Sequence, residues 1–219
     1  GRASVRRCTG AFGDNSAPVD EIPRVVSTGP GWAYLRIAEG CNNFCAFCAI
    51  PFIRGRYRSR DMENIIEEAR DLASHGVKEL IVIAQDTTRY GDDIYGEPKL
   101  AELIKKLDEI DGVEWIRLLY CYPDRLTDEV LEAMSGSKHI LHYIDLPLQH
   151  ADGRILKAMN RHGDSASLLQ LIEKIRGYMP DCVIRTTFIT GFPGEDDEAF
   201  EVLSQFVNDA RFDRLGCFA

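Results

Sequence analysis

The sequence holds no apolar run near the roughly 20 residues that a membrane-crossing helix needs. Runs such as Leu80–Ala84 stop after a handful of residues. Positive charge is in deficit, with 26 Lys and Arg against 35 Asp and Glu, a net charge of −9. That deficit excludes a chain that grips nucleic acid over its whole surface, because neutralising phosphates takes clustered Lys and Arg. Local basic patches stay open. No G-x-G-x-x-G follows the first apolar segment, which counts against dinucleotide binding. An evenly spread, even-numbered set of cysteines is also missing. There are seven, three of them within eight residues (Cys41, Cys45 and Cys48), while Cys8, Cys121, Cys182 and Cys217 stand singly. This pattern excludes a secreted disulfide framework and leads us to expect a reducing, cytoplasmic setting and no membrane association.

What remains is ordinary globular material: 219 residues, 45% hydrophobic and 28% charged. The chain opens on Gly1 rather than Met, so a fragment is expected. Residues 1–30, rich in Gly, Pro, Ser, Asp and Arg and without period, read as a linker or the tail of a missing N-terminal domain. From residue 32 strands and helices alternate. Strands are expected at 32–37, 79–84, 114–121, 142–146, 182–189 and 213–218. Helices are expected at 61–75, 99–110, from Thr127 to about Ser135, at 152–159, 165–178 and 196–208. Short apolar strands without strict alternation suit a parallel sheet covered by helices. The fold class is therefore α/β, closed either as an open doubly wound sheet or as a barrel. A complete eightfold barrel takes about 250 residues, so a partial, TIM-like (βα)6 barrel over residues 31–219 fits better.

The text Gly40-Cys41-Asn42-Asn43-Phe44-Cys45-Ala46-Phe47-Cys48 falls in the loop after the first strand, at the end where α/β sheets place their chemistry. Its spacing is C-x3-C-x2-C. Three thiolates this close can hold three corners of a 4Fe–4S cubane and leave one iron open, whereas four-cysteine runs fill every iron and make an electron carrier. Zinc normally closes with four ligands, and no nearby His or Cys completes the set. A disulfide with a spare thiol, or three core cysteines, suits a polar Asn-containing loop poorly.

This spacing after the first strand of a partial α/β barrel resembles the radical S-adenosylmethionine (SAM) superfamily. The resemblance implies a 4Fe–4S cluster on Cys41, Cys45 and Cys48, with SAM chelated by its open iron and cleaved reductively to methionine and a 5′-deoxyadenosyl radical. Further text, Ile50-Pro51, Arg54-Gly55, Ser59-Arg60, Asp145-Leu146-Pro147-Leu148-Gln149-His150 and the run Arg185–Glu195, resembles the methylthiotransferases of that superfamily. One branch modifies adenosine in tRNA; another modifies an aspartate β-carbon on a small-subunit ribosomal protein. The runs Ala84–Gly91 and Phe212–Gly216 resemble the ribosomal-protein branch. The resemblance further implies an external electron donor and a second, auxiliary 4Fe–4S cluster in an N-terminal domain. Nucleic acid would be a partner only if the tRNA branch applies. A non-catalytic iron–sulfur carrier is the competing reading of another class.

Several residues are candidates for contact with SAM. Arg185 and Thr187 share one face of a strand. A guanidinium there needs an anion, either the SAM carboxylate or a neighbouring carboxylate such as Asp145 or Glu39. Gln85 and Asp86 end the second strand, where the superfamily places a polar contact to SAM. Gln149 and His150 follow the fourth strand. Gly191, in Ile189–Gly194, resembles the adenine-contacting segment, and Phe47 either packs near the adenine or shields the cluster. Arg54, Arg56, Arg58 and Arg60 alternate as though on one basic edge.

Overall fold

The computed structural model describes residues 31–219 together with Asn15, Ala17, Val19, Thr28 and Gly29. The stretch read as a linker or tail, Cys8 included, lies otherwise outside the described residues.

Six strands form one parallel sheet: β1 (Trp32–Arg36), β4 (Glu79–Ile83), β5 (Trp115–Leu118), β6 (Ile140–Asp145), β7 (Val183–Ile189) and β8 (Arg214–Phe218). Between β1 and β4 lie β2 (Ala38–Glu39), α1 (Ile50–Arg54), β3 (Arg58–Ser59) and α2 (Met62–Ser74), with β2 and β3 pairing antiparallel. The other crossovers carry α3 (Leu100–Asp108), α4 (Asp128–Ser135), the pair α5 (Gly153–Ala158) and α6 (Ser165–Tyr178), and α7 (Asp197–Ala210).

Strand order settles how the sheet is wound. The sequence is β1-β4-β5-β6-β7-β8, each crossover stepping to the next position in one direction. A doubly wound sheet reverses direction at a switch point; this one never does. It is the winding of a barrel, with β1 and β8 unpaired to each other, so the barrel is partial.

The strands alternate in burial more regularly than their composition suggests. Ala33 and Leu35, Leu80 and Val82, Ile116 and Leu118, and Ile184, Thr186 and Phe188 are buried on the outer face beneath the helices. Phe188 meets Phe206 of α7 and Phe212 edge-on, with ring centroids 6.1 and 5.8 Å away. The inner face is half open and carries Arg36, Glu79, Arg117, Tyr143 and Arg185. There Arg117 Nε donates to Glu79 Oε1 at 2.7 Å, and its guanidinium lies over the Tyr143 ring. A parallel sheet is usually apolar on both faces; here one face carries charged and polar side chains.

Helix ends follow their side chains. Asp61, Thr127, Asp152, Asp164 and Asp196 each cap a helix by accepting backbone N–H groups of its first turn. The α3 helix buries Leu100, Leu103, Ile104 and Leu107, the stripe read from the sequence. Two differences from the sequence reading have local causes. β5 is shorter than 114–121 because Tyr120 turns left-handed, at φ 60°. The arginine run is not one extended basic edge. Arg54 ends a helical turn, Arg58 donates to the carbonyls of Asn15, Arg54 and Arg56, and Arg60 is buried against Glu68 at 2.6 Å.

Leu103→Ala, at a fully buried site, should cost about 2–5 kcal/mol in urea unfolding; a loss under about 1 kcal/mol would contradict the packing. Asp108 ties the end of α3 to the start of β6. Burial opposes its ionisation, but hydrogen bonds from Ser137, His139 N–H and Lys138 N–H outweigh that and hold its carboxyl below the ordinary value. A depressed carboxyl stabilises the fold above its unfolded pKa, near 4, and loses that contribution as pH falls through the folded value. Asp108→Asn should therefore be less stable than the parent at pH 7, with the gap closing below about pH 4. A gap that is constant with pH would refute the assignment.

Candidate metal centre

The cysteine loop leaves β2 through Gly40, at φ 74°. A Cβ there would overlap the Arg56 and Gly55 carbonyls, so only glycine lets the two ends of the loop approach. The neck is closed by Cys41 N–H donating to Gly55 O at 3.2 Å and by Tyr57 N–H donating to Asn42 Oδ1 at 3.1 Å. Cys41 is buried, while Cys45 and Cys48 are half-buried. A tight turn joins the last two, Cys48 N–H to Cys45 O at 2.9 Å. Burial pushes the Cys41 thiol up from its ordinary value. Asn43 N–H, 3.5 Å from the sulfur, pulls it back, and Asp86, Cys45 and Cys48 are near enough to add to the rise.

A loop that forms neither helix nor ladder leaves backbone groups unpaired. Here a distant segment takes them up. Ala46 N–H donates to Met159 O at 3.0 Å, and the Asn160 amide donates to Asn43 O and Phe44 O at 3.0 and 3.1 Å. Arg161 Nη1 reaches Cys45 Sγ at 3.8 Å. Asn160 follows α5 in the left-handed region, at φ 57°. Sequence reasoning missed Met159, Asn160 and Arg161. The one available signal was an asparagine just past a helix end, a common left-handed stop.

The anticipated cofactor contacts lie within or just past β4, β6 and β7, and Phe47 lies in the loop itself. Gln85 is exposed, and its Oε1 accepts from Gly40 N–H at 3.2 Å. Asp86 is buried and already engaged: Oδ2 accepts from the Asn43 amide at 2.9 Å and Oδ1 from Thr88 Oγ1 at 2.5 Å. Gln149 holds a left-handed backbone, at φ 74°, between Thr187 O and Ile189 N–H. Arg185 is 43% exposed in its side chain and forms an ion pair with Asp145, the alternative named from the sequence. The other Asp145 oxygen accepts from Tyr120 N–H at 3.1 Å. Thr187 is half-buried on the Arg185 face, opposite Gly216. Gly191 is exposed at φ 72°, and Phe47 is 39% exposed. His150 is fully buried. Its Nδ1 accepts from Asp152 N–H at 3.0 Å, and its Nε2 lies 3.6 Å from Glu195.

A cavity of about 540 Å³ opens beside the loop, lined by Arg36, Glu39, Arg54, Ile83, Gln85 and Tyr120. Among the described residues no three His, Cys, Asp or Glu side chains converge to hold a single metal ion. No helix among the described residues is long and apolar enough to cross a membrane.

The family model described as the radical SAM superfamily matches residues 35–207. A ribosomal protein uS12 methylthiotransferase RimO from Alkaliphilus oremlandii is 54% identical over 201 residues, 92% of this chain and 46% of that protein. One of the same name from Clostridium tetani is 52% identical over 200 residues, 91% of this chain and 45% of that protein. The chain thus spans less than half the length of these relatives. Among solved structures, the radical SAM methyltransferase TsrM from Kitasatospora setae superposes with a TM-score of 0.70 at 13% identity, covering 90% of this chain and 40% of that one. The singly wound sheet, the cysteine loop at its mouth and the match across residues 35–207 agree, and the chain belongs to the radical SAM superfamily.

Proposed function

We propose that this chain is the catalytic core of a ribosomal-protein methylthiotransferase. In this reading Cys41, Cys45 and Cys48 hold a 4Fe–4S cluster whose fourth iron takes SAM. The observation that carries it is the placement of these three thiols on one clamped loop at the mouth of a barrel-wound sheet, in a chain more than half identical to proteins named for modifying uS12. The donor set fits. Three soft thiols fall within eight residues, and Cys45 and Cys48 lie near enough to Cys41 to act on its thiol, a donor set that suits an iron–sulfur cluster.

No fourth thiol joins them among the described residues. Cys121 and Cys182 are buried, neighbour each other and are pushed up to about 12 by burial, while Cys217 lies on β8. Held on Cys41, Cys45 and Cys48, the cluster would supply the electron for reductive cleavage of SAM to methionine and a 5′-deoxyadenosyl radical.

The chain's own residues orient the reactants and keep water out. Gln85, Arg36 and Tyr120 line the cleft beside the loop and offer polar contacts to the SAM methionine moiety. Arg185 and Thr187 face the half-open interior, where Arg185 offers a guanidinium to a carboxylate in addition to Asp145. Asp86 acts through Asn43, fixing the loop rather than touching SAM. Gln149, and Gly191 with its exposed backbone, flank the position proposed for the adenine, and Phe47 offers it a ring face. In this reading the target is an aspartate β-carbon on uS12, and the reaction is a cytoplasmic one. Sulfur comes from an auxiliary 4Fe–4S cluster in the remainder of the full-length protein, and electrons from an external low-potential donor.

Cys45→Ala should abolish iron and acid-labile sulfide uptake in oxygen-free reconstitution, together with the low-temperature EPR signal of the reduced protein. Retention of a full cluster by this variant would sink the assignment. In the wild-type protein, SAM should change that EPR signal; an unchanged spectrum would favour the electron carrier. For the substrate, the full-length protein should add a methylthio group to a uS12 peptide and leave tRNA unmodified, as read by mass spectrometry. The reverse outcome would move the assignment to the tRNA branch.

A further inference from the structure

Beside the cysteine loop lies a buried cation without a carboxylate. Arg161 is 8% exposed, and among the described residues no Asp or Glu pairs with it. Other arginines near the mouth are matched: Arg60 by Glu68, Arg89 by Asp92 and Arg185 by Asp145. Arg161 has three neighbours instead. Its Nη2 donates to Pro147 O at 2.8 Å, its guanidinium lies over the Tyr122 ring at 4.4 Å, and its Nη1 approaches Cys45 Sγ at 3.8 Å. Tyr122 supplies no negative charge, since burial pushes its phenol up to about 12 despite the guanidinium beside it. Cys45 is thus the one thiol it touches among the described residues, and no carboxylate joins it there.

A guanidinium taken out of water is costly unless an anion balances it. We propose that Arg161 is a positioning residue for the cluster. It donates a hydrogen bond to the Cys45 sulfur, balances the negative charge of the cluster-bound loop, and thereby makes the cluster easier to reduce. The inference rests on the cluster reading above and deepens it. Reduction adds one negative charge to a group already held by three thiolates. A fixed cation and an N–H···S bond favour the more negative state, and both raise a reduction potential. Pro147 and Tyr122 hold the guanidinium in place, and Asn160 next to it is tied to the loop, so little must rearrange when the electron arrives.

The test compares Arg161→Gln and Arg161→Lys with the wild-type protein after oxygen-free reconstitution. Iron and acid-labile sulfide per chain are counted, and the midpoint potential is read by EPR-monitored redox titration. Arg161→Gln should load its cluster but reduce about tenfold less favourably, about 59 mV for a one-electron couple. Arg161→Lys, which keeps the charge and loses the fork, should fall between the two. An Arg161→Gln midpoint equal to the wild type overturns the proposal, as does an Arg161→Lys midpoint no higher than that of Arg161→Gln. If Arg161→Gln holds no cluster, Arg161→Lys carries the test: a midpoint below the wild type supports the proposal and an unmoved one overturns it. Failure of both variants to load assigns Arg161 a purely structural role and also overturns it. A wild-type protein that takes up no iron and sulfide removes the cluster reading itself, an outcome distinct from a loaded wild type with unmoved variants.

Discussion

A loop that carries three thiols in eight residues and forms neither helix nor ladder leaves much of its backbone to be satisfied from elsewhere, and the mouth of this barrel is organised around that need. The loop is too short and too turned to form a helix or ladder across Cys41–Cys48. Its carbonyls and amides find partners more than a hundred residues later, in Met159 and Asn160. From the sheet side Gln85 and Asp86 hold Gly40 and Asn43. Each partner stands at the carboxyl end of a strand or just past a helix, so the loop's shape depends on the register of the whole sheet. Four residues with left-handed backbone, Phe44, Tyr120, Gln149 and Asn160, gather at this end of the barrel. Asn160 takes that conformation readily, but Phe44, Tyr120 and Gln149 do so at a cost that the surroundings must offset.

The sheet contributes a second constraint. Its outer face is ordinary core, with Leu, Ile and Phe under helices, and supplies the stability. Its inner face carries charges already paired within the protein, Arg117 with Glu79 and Arg185 with Asp145. Those pairs let the interior stay open to water without isolated charges, and they leave polar groups pre-oriented for a zwitterionic ligand. Stability and binding thus fall on opposite faces of the same strands, which is how a half-closed barrel keeps an accessible centre.

Most of the fold was legible because it is written in local terms. Thr127 caps the helix it was expected to cap, and α6 spans Ser165–Tyr178 as read from its pattern. The cysteine spacing marked the centre because its ligands are neighbours in the chain. What escaped was long-range. The Met159–Arg161 clamp has no local signature, since its partners lie at the other end of the sequence. The arginine run looked like a uniform edge because charge alone does not reveal that Arg60 has Glu68 beside it. Arg185 was left between an ion pair and a ligand, and only strand register, Asp145 beside Arg185, shows how near the carboxylate is. The closure of the sheet as a partial barrel, by contrast, was legible from the number of units and the chain length, and the strand order agrees with it.

The neck at Gly40 carries a consequence for how such a centre can diversify. Its backbone passes so near the Arg56 and Gly55 carbonyls that even one methyl group cannot be accommodated. Mutational drift is therefore barred at the hinge of the loop, while Phe52 and Ile53, exposed on α1, have room to vary. A lineage built on this frame can recolour the rim of its loop freely, but it must inherit the throat unchanged.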